Sequence, residues 1–486
     1  MSLRKHRADR RRAARALRQD RARVSARGRV DRARAARRRR TLAPAPPERI
    51  VAPAGLLELL RPGHARGEVP GHRTSTRHVR ALYPFQAESA LPALGPVIGQ
   101  TSYGHAFLYD AFELYARRLI SSPNMAVLGQ LGKGKSGFLK AYLFRQHVFG
   151  RHAAVLDVKG EYTKLARRIG GTVVRLKPGG SLRLNPLARE AGERQQQRLL
   201  RAVCAAALGR GLSSEEGAAL SKTVQLLNQQ SGEPTLADVV EVLLGRTDHG
   251  RGLRQRVAQE LASAPDRLAD ASRDAALALL RLCDGDLQGM FDGSTSAELD
   301  FDRPLVVLDI SEMESSEELG ILMTCAIAWL QAKLDQRRHR AQAAGVAVAK
   351  SILVVDEAWR VFPVVGAGEW LQQRFKLARM EGQQSIVVMH RFSDLEGAGD
   401  EGARTVRLAK GLLKDSDTFV MFGMGDRDEA REAGRLLGLS DTEVELLSGL
   451  GQDVALWRVK SRSILVAHRF TEIERQFTYT DEAMAL

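Results

Sequence analysis

Eight short, mostly aliphatic runs punctuate the chain, at 125–128, 153–158, 172–176, 305–310, 352–356, 385–389, 418–422 and 455–459. A strand with one face in water alternates apolar and polar residues, so unbroken runs predict strands covered on both faces. Stretches with helical spacing lie between them. The combination predicts an α/β fold with a mainly parallel central sheet. Between about 189 and 284 the strand signal stops, and Ala, Leu, Arg, Glu and Gln dominate, with breaks at 232–234 and 245–252. An all-helical insertion is expected there. Thr235, with Asp238 three residues on, suits the start of one of its helices. No internal repeat is visible.

The first part of the chain reads differently. Of its 486 residues, 44% are apolar, enough for a real core, yet the net charge is +17. Residues 1–40 hold 18 Lys and Arg against 3 Asp, leaving 56 basic and 54 acidic residues elsewhere. The chain is thus a nearly neutral body with an arginine arm. Like charges repel along that arm, so it is expected to be disordered and to form helix only on a polyanion. Residues 41–73 are rich in Pro and Gly and read as a linker, with a short helix-like patch at 56–60. The segments that follow are 74–188, carrying the first half of the sheet, 189–288, the helical insertion, and 289–486, the second half.

Several classes are set aside by composition. The longest apolar run, 321–330, is interrupted by Thr324 and is about half the 18–20 residues a membrane helix needs. No transmembrane segment is expected. The first residues lack an apolar stretch of the secretory kind, although their Arg-rich, acid-poor character overlaps with organelle transit peptides. Cys204, Cys283 and Cys325 fall in apolar, helix-like stretches and are expected as small buried hydrophobes of a reducing compartment. No CxxC or HExxH spacing occurs.

The clearest chemical motif is Gly129-Gln130-Leu131-Gly132-Lys133-Gly134-Lys135-Ser136, followed by Gly137. It fits GxxxxGK[ST], and its context is strand, loop, helix. Glycines let the backbone wrap phosphate oxygens, and a helix N-terminus adds partial positive charge. Lys135 is expected to reach the β- and γ-phosphates and Ser136 to ligate Mg²⁺. ATP and Mg²⁺ are therefore the expected ligands.

Three aliphatic runs end in an acid, at Asp157, Asp309 and Asp356, but only Asp356 is followed directly by a second carboxylate, Glu357. A hydrolase of this kind needs one acid on the metal side and another to orient or polarise the attacking water. Asp356 is assigned to Mg²⁺ and Glu357 to the general base. The run 385–389 ends at His390, which could sense the terminal phosphate or the water.

These residues, with Asp157-Val-Lys-Gly-Glu-Tyr162, Leu184-Asn-Pro-Leu187, Gly289-Met-Phe-Asp-Gly293 and Asp356-Glu-Ala-Trp359 in that order, resemble the ATPase domain of conjugative-transfer and type IV secretion motors in the FtsK–HerA class. The resemblance runs from about Gln100 to Thr478. It implies a RecA-like P-loop NTPase fold of the additional-strand type with a helical insertion, ATP hydrolysis at the interfaces of a ring, usually a hexamer, and work beside membrane channel components. It places Asp157, Lys159 and Glu161 near the nucleotide. The sensor position, more often Gln in such motors, is His390 here. Ring ATPases commonly insert an arginine into the neighbour's site. The helix-like stretch 369–379 offers Arg374 and Arg379, of which Arg379 is favoured.

The resulting expectation is a cytoplasmic Mg-ATP-hydrolysing motor, with the inner face of the cell membrane as a peripheral alternative. Its arm would bind DNA through phosphates, strongly at low salt and without sequence preference; anionic lipid or plain partner docking are the rival uses. The competing functions are a DNA translocase for segregation, packaging or repair, and a nucleotide-bound scaffold that does not hydrolyse.

Overall fold

The computed structural model describes residues 91–479 apart from 178, 190–191, 286, 297–301, 314–315, 362–366 and 391–398. The arm, the linker and the lead-in to residue 90 therefore lie outside the described residues.

All eight runs form strands. They are β3 (Met125–Leu128), β4 (His152–Asp157), β5 (Thr172–Arg175), β6 (Leu305–Asp309), β7 (Ser351–Val355), β8 (Gln383–Met389), β9 (Thr418–Phe422) and β10 (Val454–Val459). Three more, β1 (Val97–Thr101), β2 (Ala106–Leu108) and β11 (Arg462–His468), complete one sheet in the order β2-β1-β11-β10-β9-β3-β8-β7-β4-β6-β5. From β9 to β5 every neighbouring pair is parallel, and β10, β11, β1 and β2 continue it antiparallel.

The side chains explain why the runs are continuous. Along β3, Ala126 and Leu128 enter one core while Met125 and Val127 enter another. The same split divides Leu353 and Val355 from Ile352 and Val354 in β7. Successive strand residues point to opposite faces, and here both faces are covered. One cover includes α1 (Ala111–Ala116), α2 (Lys135–Val148) and α3 (Thr163–Arg168). The other includes α9 (Ser316–Ala343), α10 (Ala367–Ala378) and α11 (Gly399–Lys414). Each fully buried Val or Leu contributes about 1.5–3 kcal/mol over its exposed state.

The helical insertion is present as α4 (Glu193–Leu208), α5 (Ser214–Asn228), α6 (Leu236–Leu244), α7 (Asp248–Glu260) and α8 (Pro265–Asp284). Thr235 caps α6 as expected: its hydroxyl accepts from Asp238 N–H, and the Asp238 carboxylate accepts from Thr235 N–H. The insertion leaves and rejoins the sheet at one neck. There Leu184 N–H donates to the Met290 carbonyl at 2.7 Å, Gly179 N–H to the Gln288 carbonyl at 2.9 Å, and Arg183 pairs with Asp292 at 2.7 Å. Two of the short motifs, around Asn185 and Met290, thus build this neck rather than the phosphate site. Two helices, α12 (Arg427–Leu437) and α13 (Asp441–Gly449), precede β10, and α14 (Glu472–Thr478) packs on α2.

The three cysteines are buried, and burial pushes each thiol up to about 12. No helix among the described residues is long and apolar enough to cross a membrane.

Candidate active site

The glycine-rich loop joins β3 to α2 at the C-terminal edge of the parallel strands, the edge where open α/β sheets place ligands. Gly129 has φ +138, and a Cβ there would stand 2.6 Å from Phe422 Cβ. Gly134 has φ +101 and faces Asp453; no side chain is tolerated at either. The loop is anchored from β9 and β10. Gln130 N–H donates to the Gly423 carbonyl at 3.1 Å, Gly425 N–H to Gln130 Oε1 at 3.1 Å, and Asp453 N–H to the Lys133 carbonyl at 3.1 Å. Leu131 stands out, 67% exposed.

Gly134 is the N-cap of α2, and no side chain caps that helix. Its first N–H groups therefore face out of the loop, available to an anion. The Lys135 ammonium folds back to donate to the carbonyls of Gly129 and Gln130, the latter at 2.8 Å. Burial first, then the nearby charge of Lys159, lowers its pKa to about 8. Ser136 is half-buried in the first turn.

The two acids follow β7. Asp356 is 2% exposed; its Oδ1 accepts from Glu357 N–H at 2.9 Å, and its Oδ2 is buried with no hydrogen-bond partner among the described residues. Burial, reinforced by the adjacent Glu357 charge, raises its pKa to about 7. Glu357 is in the left-handed region at φ +50, an uncommon conformation for a non-glycine residue. Both of its carboxylate oxygens have partners. Oε1 lies 2.5 Å from both Lys159 Nζ and His390 Nε2, and Oε2 accepts from Trp359 Nε1 at 2.6 Å. Burial alone would raise its pKa, but His390 and Lys159 together outweigh burial and hold it at about 2.

Topology brings these parts together. β8 lies between β3 and β7, and β4 lies beyond β7. Read along the rim, the order is phosphate loop, His390, the Asp356–Glu357 pair, then the turn after β4 that carries Lys159. An extra strand between the phosphate-loop strand and the acid strand is the additional-strand arrangement. Asp157 builds the Lys159 turn: its carboxylate accepts from the N–H groups of Lys159, Gly160 and Tyr162 at 3.1, 2.9 and 2.9 Å. Glu161 stands 3.4 Å from Lys140, a buried residue of α2.

Arg379 is not brought to this site. It is exposed, in the turn that precedes β8, whereas His390 follows β8. Seven strand residues separate the two edges, about 23 Å at 3.3 Å per residue. Its own chain's phosphate loop is therefore out of its reach. The side chain of Arg374 lies outside the described part. Sequence reasoning placed Lys159 near the nucleotide without a role, and it missed Asp453 and Tyr479. Tyr479 Oη donates to Asp453 Oδ2 at 3.0 Å beside the loop. Nothing local in 450–479 signals that this distant segment returns to the phosphate loop.

An uncapped helix N-terminus, an ammonium beside it and a buried carboxylate oxygen without a partner fit a Mg²⁺-bound polyphosphate. With β8 inserted between the loop and acid strands, the molecule has the RecA-like P-loop ATPase fold, its mainly parallel sheet interrupted by a helical insertion. No family model matches the chain. Protein TraC of Escherichia coli K12 is 23% identical over 348 residues, 70% of this chain, which spans 36% of TraC's length. VirB4 of Thermoanaerobacter pseudethanolicus superposes with a TM-score of 0.63 at 21% identity, covering 80% of this chain and all of that structure. Plasmid coupling protein TrwB in complex with ADP and Mg²⁺ superposes with a TM-score of 0.52 at 16% identity, covering 80% of this chain and 93% of the chain in that structure. The two solved structures share the fold of this chain.

Proposed function

We propose that the protein is a Mg-ATP-hydrolysing motor of a conjugative-transfer or type IV secretion machine, working as a ring of identical subunits on the cytoplasmic side of a membrane channel. The observation that carries the ATPase reading is the unpartnered Asp356 Oδ2, buried on the same rim as the glycine loop and next to Glu357. An orphaned buried carboxylate oxygen is costly unless it serves a ligand. The likeness to TraC, VirB4 and TrwB supports the motor class.

In this reading the loop 129–137 and the N–H groups at the start of α2 bind the phosphates. Lys135 exchanges its loop carbonyls for phosphate oxygens. Ser136 and Asp356 hold Mg²⁺, which when bound neutralises charge developing on the transferred phosphoryl group. Glu357 takes the proton of the attacking water, and His390 orients that water. Arg379 serves the site of a neighbouring copy. The test is hydrolysis and nucleotide binding by the full chain. Lys135→Ala is expected to lose both, and Glu357→Gln to keep binding and lose turnover. Undiminished turnover in Glu357→Gln would remove the base assignment.

A second reading, a DNA translocase of the same class, is favoured by the 18 basic residues in the first forty. Strong stimulation of hydrolysis by duplex DNA alone, lost on deleting 1–40, would select it.

A further inference from the structure

Lys159 holds the base candidate in a state unsuited to its task. Its backbone is fixed, because the turn around it is tied to Asp157 through three N–H groups. Its side chain is not: 29% of it is exposed, and it reaches across to Glu357. Glu357 Oε1 is shared by the Lys159 ammonium and His390 Nε2, which are themselves 3.1 Å apart, and Oε2 is taken by the Trp359 indole. A carboxylate whose charge is met by an ammonium at contact distance is a weak base, and it becomes a stronger one when that donor leaves. Trp359 and His390 are rings of short reach. Lys159 is a point charge on a four-carbon stem with three rotatable donors, the partner best able to move. Its charge also bears on Lys135, whose ammonium marks the phosphate end of the site. The two ammonium groups repel each other, and a polyanion bound at the loop would attract both.

We infer that Lys159 is a triphosphate-sensing positioning residue, parked on Glu357 without a terminal phosphate and drawn to that phosphate's oxygens when ATP binds, so that Glu357 is freed only in the state ready for hydrolysis. This rests on the nucleotide-site reading above. It supplies what that reading lacks: a reason for the base to be silent with ADP and active with ATP. His390 remains with Glu357 in both states and keeps the freed carboxylate aimed.

Trp359 provides a readout independent of turnover, because its indole N–H is bonded to the carboxylate that Lys159 releases. Intrinsic fluorescence of the full chain is followed while Mg²⁺ with ADP or with a non-hydrolysable ATP analogue is added to wild type, Lys159→Ala, Lys159→Arg and Trp359→Phe. The analogue should change the emission and ADP should not, with the change absent in Trp359→Phe. Lys159→Ala should start with altered emission, respond alike to both nucleotides, keep its ADP affinity, and lose about tenfold of its preference for the analogue. Lys159→Arg should recover part of that preference. Retained ADP binding also shows that the variant is folded.

The inference is overturned if wild-type emission answers both nucleotides equally, if Lys159→Ala keeps the wild-type preference, or if it loses ADP binding as well. Binding of both nucleotides with no difference between them removes the Lys159 clamp and leaves the ATPase reading standing. Binding of neither removes both.

Discussion

β4 and β7 are adjacent, parallel and nearly identical in pattern: Ala-Ala-Val-Leu-Asp157 beside Ile-Leu-Val-Val-Asp356. Both end in a buried aspartate, 0% and 2% exposed. Their chemistry is opposite. Asp157 spends both oxygens on three backbone N–H groups and shapes a turn. Asp356 satisfies one oxygen and leaves the other with no partner among the described residues. Asp309, one strand further out on β6, is a third version: it meets Ser311 and the half-exposed Arg175. The strand pattern places an acid at the rim, but unspent hydrogen-bonding capacity separates a reactive acid from a structural one.

The largest expected effect is at Asp356. Asp356→Asn should lower Mg-dependent ATP turnover by at least about 10²-fold if it holds the metal as proposed, since a metal-side acid supports charge stabilisation in the transition state. Without metal it should make the protein more stable. The sign follows from the raised pKa: the folded carboxyl titrates near 7 against 3.8 in the unfolded chain. Between those values the folded state holds more protons, so its contribution to stability falls as pH rises through that window. Asparagine has no charge to bury, so at pH 8 the variant should gain roughly 2–4 kcal/mol over wild type. Denaturant melts at pH 4 and pH 8, with and without Mg²⁺ and nucleotide, measure this. A variant destabilised at pH 8 would make Asp356 structural and erase the contrast with Asp157.

Asp157→Asn tests the other side. Asparagine retains one acceptor oxygen and turns an NH₂ toward backbone N–H groups that need an acceptor. A loss of about 1–3 kcal/mol is expected, together with looser placement of Lys159. Turnover should fall less than in Asp356→Asn. If the activity losses were equal, Asp157 would be acting on substrate.

The same contrast marks what could be read from the sequence. The eight runs, the loop at 129–137 and the Asp356–Glu357 pair are local patterns, each fixed by neighbours within a few residues. The partners of Glu357 are not. Lys159 arrives because β4 lies beside β7, and His390 because β8 lies between β7 and β3, and strand order is written in no single segment. β1 and β2, at the antiparallel end of the sheet, were hidden for a different reason. β2 has three residues, and β1 buries Gly99 and Gln100, with Gly99 packed against the Ala467 backbone of β11. A close backbone approach selects glycine there, and glycine reads as a turn. Residues 450–479 return to the phosphate loop through Asp453 and Tyr479, a contact that only the folded sheet makes.

The smallest effect is expected at Asp309, where the comparison predicts near silence. The side chain of its partner Arg175 is 51% exposed in a 3.0 Å pair, so water screens the attraction and holding the long side chain costs entropy. Arg175→Ala should change stability by about 0–1 kcal/mol and leave turnover unaltered. Ser311 donates its hydroxyl and N–H to Asp309 Oδ1 at 2.6 and 3.1 Å, and Arg175 alone meets Oδ2, so the variant stays near neutral only if water takes the place of the half-exposed arginine. Denaturant unfolding at low and high salt is the measurement: the wild-type advantage, if present, should vanish in salt, because an exposed pair is screened and a buried one is not. A salt-resistant loss above about 2 kcal/mol would mean that the third strand-end acid depends on its ion pair, and that of the three only Asp157 is satisfied by its own turn.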